Sequence, residues 1–358
     1  MISELFFTGV KLKKSLLALA ILAATGAASA QSTVTIYGVT DVAMGQFKTG
    51  VGPKELTQTK IDSAGLSTSR WGMKGSEDLG HGLKANFVLE GGMSMDDGSQ
   101  KKAGFVFDRV ATVGFSGDFG AVTLGRQATP YDDLRGDTNN TLDSKVLTAT
   151  KPVWDSKKID VSPYTDRIDN SIVFKSASYS GFSGALGLNF GENKTATVDA
   201  SQIVSLQVKY AAGPVLVGFA HQSEKAQNAA VTATGNTTYT LIAGSYDFGM
   251  AKLIAGYNQQ KREATIGVLE ASDKQFQFGL EVPLSTAAKV AIGYDKTEGD
   301  VINGLGGNKG SGYSIIGQYD LSKRTSLYAG WLDATTETAA GVQTEKTSTV
   351  AMGVRHKF

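Results

Sequence analysis

Apolar and polar side chains alternate along nearly the whole chain after residue 30, in segments of about ten residues, the length that a tilted membrane strand requires. In residues 275–282 every second residue is apolar, and the residues between them are Gln275, Gln277, Gly279 and Glu281. The same split recurs in residues 83–90, 203–210, 289–295 and 349–358. Because successive side chains of a strand point to opposite faces, the pattern predicts strands with one apolar face and one polar or small face.

A soluble sandwich would alternate in the same way, so the connections between the segments decide the fold class. Short connections with Gly or Pro take turns with longer polar ones, as expected for a membrane barrel with turns on one rim and loops on the other. The short connections are residues 77–82, 116–120, 180–184, 211–214, 247–250, 283–287 and 320–325. Counting the segments between connections gives about sixteen strands, an even number as bacterial barrels require. The sequence therefore predicts an all-β fold, a 16-stranded antiparallel transmembrane β-barrel.

Residues 127–170 interrupt this rhythm with a long segment that is rich in Asp, Asn, Thr and Lys. Pro130, Pro152 and Pro163 break it, and no period of 2 or 3.6 is sustained. A connection of this length is usually functional or disordered. It is the third long loop in the count, and a closed barrel offers it a lumen into which it can fold. We expect it to narrow the channel there.

The first residues have the order of a secretory signal. Lys11, Lys13 and Lys14 precede an apolar run at 16–24, and Ala28, Ser29 and Ala30 follow it. The run is too short to span a bilayer as a helix. We expect a signal peptide over residues 1–30, cleavage before Gln31, and a single barrel domain over residues 31–358.

Composition excludes several classes of function. Lys and Arg number 35 against 34 Asp and Glu, so net charge gives no attraction to nucleic acid. The chain has no cysteine, and its three histidines are far apart in sequence, so neither a disulfide framework nor a metal site is expected. No set of nucleophile, base and orienting residue is recognisable, and no cofactor is expected.

Several short motifs resemble one family. They are QSTVTIYG at 31–38, STSR at 67–70 followed by GSEDLG at 75–80, TLGR at 123–126, DLSKRT at 320–325 and GVRHKF at 353–358. In this order and spacing they resemble the general diffusion porins of the Gram-negative outer membrane, in the form typical of betaproteobacteria. The resemblance implies a sixteen-stranded barrel, a homotrimer and a third loop folded into the lumen. Phe358 resembles the terminal signal that the barrel-insertion machinery reads.

The candidate pore residues follow from which face of a strand is apolar. If Trp71 and Met73 face lipid, Arg70 and Lys74 face the lumen, and the same argument applied to residues 167–175 turns Arg167 inward. Arg70, Arg109 and Arg167 match the arginines that line the constriction in related porins, and Arg126 matches the arginine at the end of the fifth strand. Arg109 and Arg126 share the parity of apolar neighbours, which a bulge near the loop or a subunit interface would explain.

The third loop offers acids that would oppose these arginines, namely Asp132, Asp133, Asp137 and Asp143, and Glu90 lies on a nearby wall. Opposed charges across a narrow water-filled gap make a transverse field that aligns polar solutes. The alternative for the acids is a solvated loop. The alternative for the arginines is a structural ion pair.

We therefore expect an outer-membrane porin, a passive channel for small ions and hydrophilic solutes with a mild preference for anions, and not an enzyme. A substrate-specific channel of the same fold, for a sugar or an organic anion, is one alternative. An outer-membrane barrel enzyme and a soluble binding sandwich are two others. The expected partners are two further copies in a homotrimer, outer-membrane lipid and lipopolysaccharide, and the insertion machinery through Phe358.

Overall fold

The protein is described by a computed structural model that covers residues 33–142, 144–156, 159–196, 199–225, 235–265 and 268–358. The predicted signal peptide at residues 1–30 lies outside the described residues, as does Asp143.

Antiparallel strands form most of the described chain. They are β1 (Thr33–Thr49), β2 (Leu56–Ser63), β3 (Arg70–Gly80), β4 (Leu83–Gly92), β5 (Val110–Gly117), β6 (Gly120–Ala128), β7 (Arg167–Ser176), β8 (Phe182–Asn189), β9 (Gln202–Ala212), β10 (Val215–Lys225), β11 (Asn236–Asp247), β12 (Lys252–Thr265), β13 (Val268–Pro283), β14 (Ala288–Gly299), β15 (Val301–Ile302), β16 (Leu305–Gly306), β17 (Lys309–Asp320), β18 (Thr325–Glu337) and β19 (Gln343–Lys357). The helices are α1 (Pro130–Asp137), α2 (Thr150–Trp154) and a 3-10 turn at Gly52–Lys54.

The sheet closes on itself because β1 pairs with β19 on one side and with both β2 and β3 on the other. β2 and β3 lie one after the other along β1, where Val42 faces Ser63 and Val39 faces Arg70. They are two parts of one barrel strand, and β15 and β16 form a separate small hairpin between β14 and β17. The barrel therefore has sixteen strands, and the predicted fold class is confirmed.

The two faces of the barrel have opposite chemistry. On β13, the side chain of Phe278 is 55% exposed on the outer face, whereas its neighbour Gln277 is 1% exposed inside. Apolar side chains are thus outside and amides inside, the reverse of a soluble protein, as a barrel surrounded by lipid requires. Among the described residues, no helix is long and apolar enough to cross a membrane.

The connections are of the two predicted kinds, but one long connection is shorter than its sequence suggests. The polar composition of residues 261–273 predicts a long loop, yet β12 continues to Thr265 and β13 begins at Val268. The polar side chains in such stretches belong to parts of the strands that extend beyond the apolar band, where both faces meet water.

At the rim with the short turns, aromatic rings pair on the outer face, with centroids 4.8 Å apart for Phe182 and Tyr210 and 4.5 Å for Tyr246 and Phe248.

The third loop, residues 129–166, folds into the barrel and packs on its inner wall. α1 contacts β8, β9, β10 and β11, while α2 contacts β14, β17 and β18. Thr129 caps α1 by accepting a hydrogen bond from the backbone N–H of Asp132, with Pro130 in the first turn. Both helices are too short to be stable alone, so their contacts with the barrel wall stabilise them.

Beneath the third loop the inner wall carries apolar or small side chains, whereas the sequence predicts a polar or small inner face along the whole barrel. Leu134, Val153 and Trp154 of the loop pack with wall residues such as Tyr239 and Leu332 in one buried cluster. A second cluster joins Leu142 and Leu147 of the loop to Leu66 and to wall residues Ala43, Ala291, Ile316, Tyr328 and Ala351. The lumen thus contains a packed core on one side.

Candidate pore constriction

Glu90 on β4 is the centre of a charged cluster on the part of the wall that the third loop leaves uncovered. The Nε atom of Arg109 lies 2.7 Å from its Oε1 atom, and the Nε atom of Arg70 lies 3.5 Å from its Oε2 atom. The hydroxyl of Tyr37 donates a hydrogen bond of 3.0 Å to the same Oε2. Two guanidinium groups therefore share one carboxylate, and the cluster keeps a net positive charge.

Arg70 and Lys74 lie on the same face of β3, as the alternation predicts. Arg70 also donates from Nη1 to the backbone oxygen of Thr68, at 2.9 Å. The Lys74 ammonium lies 5.2 Å from the ring centroid of Tyr37, within the range of a cation–π contact. These contacts fix both cationic groups beside the Glu90 cluster.

Arg167 begins β7, and its guanidinium lies close to that of Arg109. Arg109 precedes β5, where burial lowers the pKa of its guanidinium and the neighbouring charge of Arg167 lowers it further. Arg167 pairs with Asp166 at 2.5 Å, and its buried Nε has no hydrogen-bond partner among the residues that the structure describes. The structure thus brings Arg70, Arg109 and Arg167 together with Glu90.

Arg126 lies apart from this group and has its own partners. Its Nη1 atom lies 2.6 Å from Asp169, and its Nε donates to the backbone oxygen of Asp108 at 2.5 Å. The Asp108 carboxylate in turn accepts from the backbone N–H of Gly92 at 2.6 Å. Arg126 therefore ties β6 to the second long loop and to β7.

A β-bulge on β7 lies opposite Arg126 and changes the argument for Arg167. β6 itself keeps its alternation, so Arg126 stays on the face of Leu124 and the bulge does not turn it inward. The register between β6 and β7 shifts between Gly125 and Gln127, because one residue of β6 faces the two residues of β7 that include Asn170, at a φ of 47°. The bulge reverses the alternation on β7 between Arg167 and Ser171. Parity counted back from Ile172 therefore does not place Arg167, and its position follows from its neighbours instead. Arg109 lies outside β5, so strand parity does not apply to it.

The predicted acids Asp132, Asp133 and Asp137 lie in three different surroundings, and in the described residues none of them forms an ion pair with an arginine of the Glu90 cluster. The third-loop acid that does so is Asp166, which pairs with Arg167. Asp133 pairs with Lys175 of β7 at 2.5 Å, and Asp137 pairs with Lys209 of β9 at 2.6 Å. Asp132 is partly buried and accepts a hydrogen bond of 2.5 Å from Tyr164. The expected rows of opposed charges are thus replaced by lysine pairs, because α1 lies against the wall that carries these lysines.

These features match known proteins. A family model described as Gram-negative porin matches residues 16–339. The chain belongs to the Gram-negative porins. Outer membrane porin protein 32 of Delftia acidovorans is 33% identical to this porin over 97% of this chain and 100% of its own length. An outer membrane porin protein of Bordetella pertussis is 28% identical over 97% of this chain and 100% of its own length.

Among solved structures, the anion-selective porin from Comamonas acidovorans superimposes with a TM-score of 0.76 at 28% identity. The match covers 92% of this porin and 100% of that chain. Family and fold place this porin in the Gram-negative outer membrane as a diffusion channel. They indicate a channel rather than an enzyme.

Sequence reasoning did not identify two groups of residues that contribute to the pore region of this porin. The first holds the third loop in place: Arg135 pairs with Asp155 at 3.0 Å, and its guanidinium lies over the rings of Trp154 and Tyr164 at 5.4 and 5.0 Å from the centroids. Burial raises the pKa of the Tyr164 hydroxyl, and the Asp132 charge raises it further. The aromatic residues in an otherwise polar loop were the available signal.

The second missed group is on the wall. Arg355 of β19 has an inward position, and its Nη1 donates to the Ser67 hydroxyl at 3.4 Å. Wall glycines also carry information, since a Cβ at Gly279 would lie 2.6 Å from the Asn140 backbone oxygen and one at Gly218 would lie 2.5 Å from Leu134. Glycine at an inward position marks where the third loop approaches the wall.

Proposed function

We propose that the constriction of this porin favours small anions over cations. The observation that carries the proposal is the imbalance of charge around Glu90, where two guanidinium groups contact one carboxylate and the Arg167 charge acts on the same cluster. Asp133 and Asp137 do not offset these charges, because wall lysines pair with them. Asp166 pairs with Arg167, so three arginines face two carboxylates and one positive charge remains. The solved porin of Comamonas acidovorans, described as anion-selective, is 28% identical to this chain.

The physical reason is that fixed charge acts strongly in a narrow aqueous passage. A guanidinium keeps its charge at any working pH and offers a planar array of donors to an anion. Physiological salt screens charges over about 8 Å in bulk water, but a passage that admits few ions at a time screens them less. An anion near Arg70, Arg109 and Arg167 is attracted, whereas a cation is repelled.

The test replaces two arginines of the cluster, Arg70→Gln with Arg167→Gln, and measures the reversal potential of single channels in a salt gradient. We expect the potential to shift toward cations and the conductance to rise, since both side chains become shorter. Lys309→Gln, on an exposed lysine at the start of β17, is the control and should shift it much less. An unchanged potential in the double variant would place the selective region elsewhere.

We also propose that the porin assembles as a homotrimer. The support is the family resemblance, together with the outer face of β1, where Val34 and Ile36 are exposed in the single chain. Unheated protein in detergent electrophoresis should migrate as a heat-sensitive oligomer, and migration as a monomer under mild conditions would refute the proposal. Contacts with lipopolysaccharide and recognition of Phe358 by the insertion machinery stay predictions.

A further inference from the structure

The barrel strand formed by β2 and β3 is interrupted by residues 64–69, which we call the inward segment. β1 runs past the gap without a break, so the residues between Ser63 and Arg70 leave the sheet and turn into the lumen. Ala64, at the start of the turn, is buried with a φ of 73°, a conformation that residues other than glycine rarely adopt. Such backbone persists only where its surroundings hold it.

Asp41 of β1 holds the inward segment. Its carboxylate accepts hydrogen bonds from the backbone N–H groups of Gly65, Leu66 and Ser67 at 2.9, 3.0 and 2.8 Å. The hydroxyl of Tyr328 donates a fourth, at 2.5 Å. The Asp41 side chain is fully buried, so these four donors replace water around its charge. A carboxylate is needed here, because both of its oxygens act as acceptors.

The far side of the inward segment contacts two arginines that face the lumen. Arg70 donates to the Thr68 backbone oxygen at 2.9 Å, and Arg355 donates to the Ser67 hydroxyl at 3.4 Å. Arg70 follows the segment on β3, whereas Arg355 faces Asp41 across the pairing of β1 with β19. The segment therefore lies between two cationic side chains and supplies an acceptor to each.

The same segment also contacts the middle of the third loop. The Ser144 hydroxyl donates to the Gly65 backbone oxygen at 2.8 Å, and the backbone N–H of Val146 approaches the same oxygen at 3.3 Å. The Leu66 side chain packs with Leu142 and Leu147 in a buried cluster. One short interruption of a strand thus meets both the basic residues and the loop that shape the pore.

We propose that the inward segment is a positioning element of the constriction and that Asp41 is the residue on which it depends. By holding residues 64–69 in place, Asp41 orients the guanidinium groups of Arg70 and Arg355 and anchors the third loop at Ser144. The part of this proposal that concerns ion preference rests on the proposed function. The part that concerns the third loop does not.

The positioning role of Asp41 predicts a change in ion preference opposite in direction to the change that loss of its charge alone would cause. Removing a negative charge from a channel wall should strengthen a preference for anions. Asp41 is separated from the lumen by the segment that it binds, so its charge acts on the segment rather than on ions. Releasing the segment frees Arg70 and Arg355 from their positions, and the preference for anions should fall instead.

The experiment uses the full-length porin with Asp41→Asn, whose amide has a single acceptor oxygen and turns a donor toward the backbone N–H groups. We expect the anion-to-cation permeability ratio to fall toward one and the open-channel current to become noisier. Asp62→Asn is the control, because it makes the same change of charge on β2, next to the segment, at a residue that pairs with Lys60 instead. The control should leave the ratio unchanged or raise it.

A second variant, Ser144→Ala, removes the anchor of the third loop without touching the strands. Ser144→Ala should raise the current noise, while the permeability ratio stays near that of the unmodified porin. If the Asp41 variant does not insert, this second variant still tests whether the inward segment anchors the third loop. A higher ratio in Asp41→Asn, or quiet channels in Ser144→Ala, would overturn the proposal. If the unmodified porin shows no preference for anions, the proposed function fails, and the noise measurement still tests the positioning role.

Discussion

The inner wall of the barrel has two regions that differ in chemistry although the same alternation produces both. The basic wall, the inner side of β3 to β7, carries Arg70, Lys74, Arg109 and Arg167 beside Glu90. The covered wall, the inner face of β9 to β14 with β17 and β18, lies under the third loop and carries amides and small or apolar side chains. The arginines are found on the wall that the third loop leaves uncovered, and most side chains beneath the loop are neutral.

The reason is the cost of burying charge without a partner. On the covered wall, Gln275 donates to the Trp154 backbone oxygen at 2.9 Å and Gln277 donates to that of Thr138 at 2.8 Å. Amides can satisfy loop backbone groups without a net charge. Two acids are exceptions: Asp273 accepts from the backbone N–H of Val161 at 2.7 Å, and Asp295 accepts from the side-chain amide of Asn140 at 3.0 Å. The covered wall is therefore a docking surface, while the basic wall acts on solutes.

The largest expected effect comes from releasing the third loop from the covered wall. Trp154 is fully buried, and its indole Nε1 donates to the Phe276 backbone oxygen at 3.3 Å. Trp154→Ala should weaken docking by about 3–5 kcal/mol, the usual cost of removing a large buried aromatic side chain. Single-channel recordings should then show a higher and more variable conductance.

Trp331 on the outer face is the matched control, since Trp331→Ala removes the same side chain from a partly exposed position away from the lumen. Its channels should conduct as the unmodified porin does. Equal conductance in both variants would mean that the third loop does not limit the current.

A smaller effect is expected from the basic wall. Glu90→Gln removes the carboxylate that Arg70 and Arg109 share, so the net charge of the cluster rises. The reversal potential should move further toward anions, with little change in conductance because the side chain keeps its size. Glu55→Gln, in the first long loop where Glu55 pairs with Lys48, should move it less. A shift toward cations would show that Glu90 acts chiefly by holding the arginines in place.

The smallest effect concerns pH and the docking of α1. Burial raises the pKa of Asp132, although its hydrogen bond from Tyr164 opposes that rise. A carboxyl with a raised pKa contributes its full stability below its ordinary pKa and loses it as pH rises through the raised value. The docked loop should therefore be more stable, and the current quieter, in acidic buffer than at neutral pH.

Asp132→Asn should reduce this pH dependence, because the amide does not titrate. Asp118→Asn, in the exposed turn between β5 and β6, should leave it as it is. Noise that decreases as pH rises in the unmodified porin would contradict the assignment to Asp132.

Much of the barrel could be predicted from the sequence because lipid and water impose a period of two on every strand. Phe278 and Gln277 are an example, since the alternation of apolar and polar residues alone predicts that the first faces lipid and the second faces the lumen. The same reasoning identified Arg70 and Lys74 as inward. A bulge was one of two explanations for the parity of Arg126, and the structure has a bulge opposite it, but on β7, while β6 keeps its alternation. Local parity was sufficient wherever the strand was regular.

The remainder depends on contacts between distant parts of the chain. The pairing of Asp133 with Lys175 follows from where α1 settles on the wall, and no local pattern in residues 127–170 encodes that. The role of Asp41 depends on an interruption in a neighbouring strand, and this interruption overlaps the STSR motif that carried the family resemblance. The identity of a motif was visible in the sequence, but its physical role was not.

The bond between Tyr328 and Asp41 has a consequence for the order of folding. It joins positions 287 residues apart, and Asn140 of the third loop binds Asp295, 155 residues away. The first contact requires β18 and the second requires β14, so we expect the constriction to form late, as the ring closes. With Trp71 and Trp331 changed to phenylalanine, Trp154 is the single remaining tryptophan of three. During refolding into detergent, its fluorescence should report burial together with the appearance of the compact form on gels, and earlier burial would refute this order.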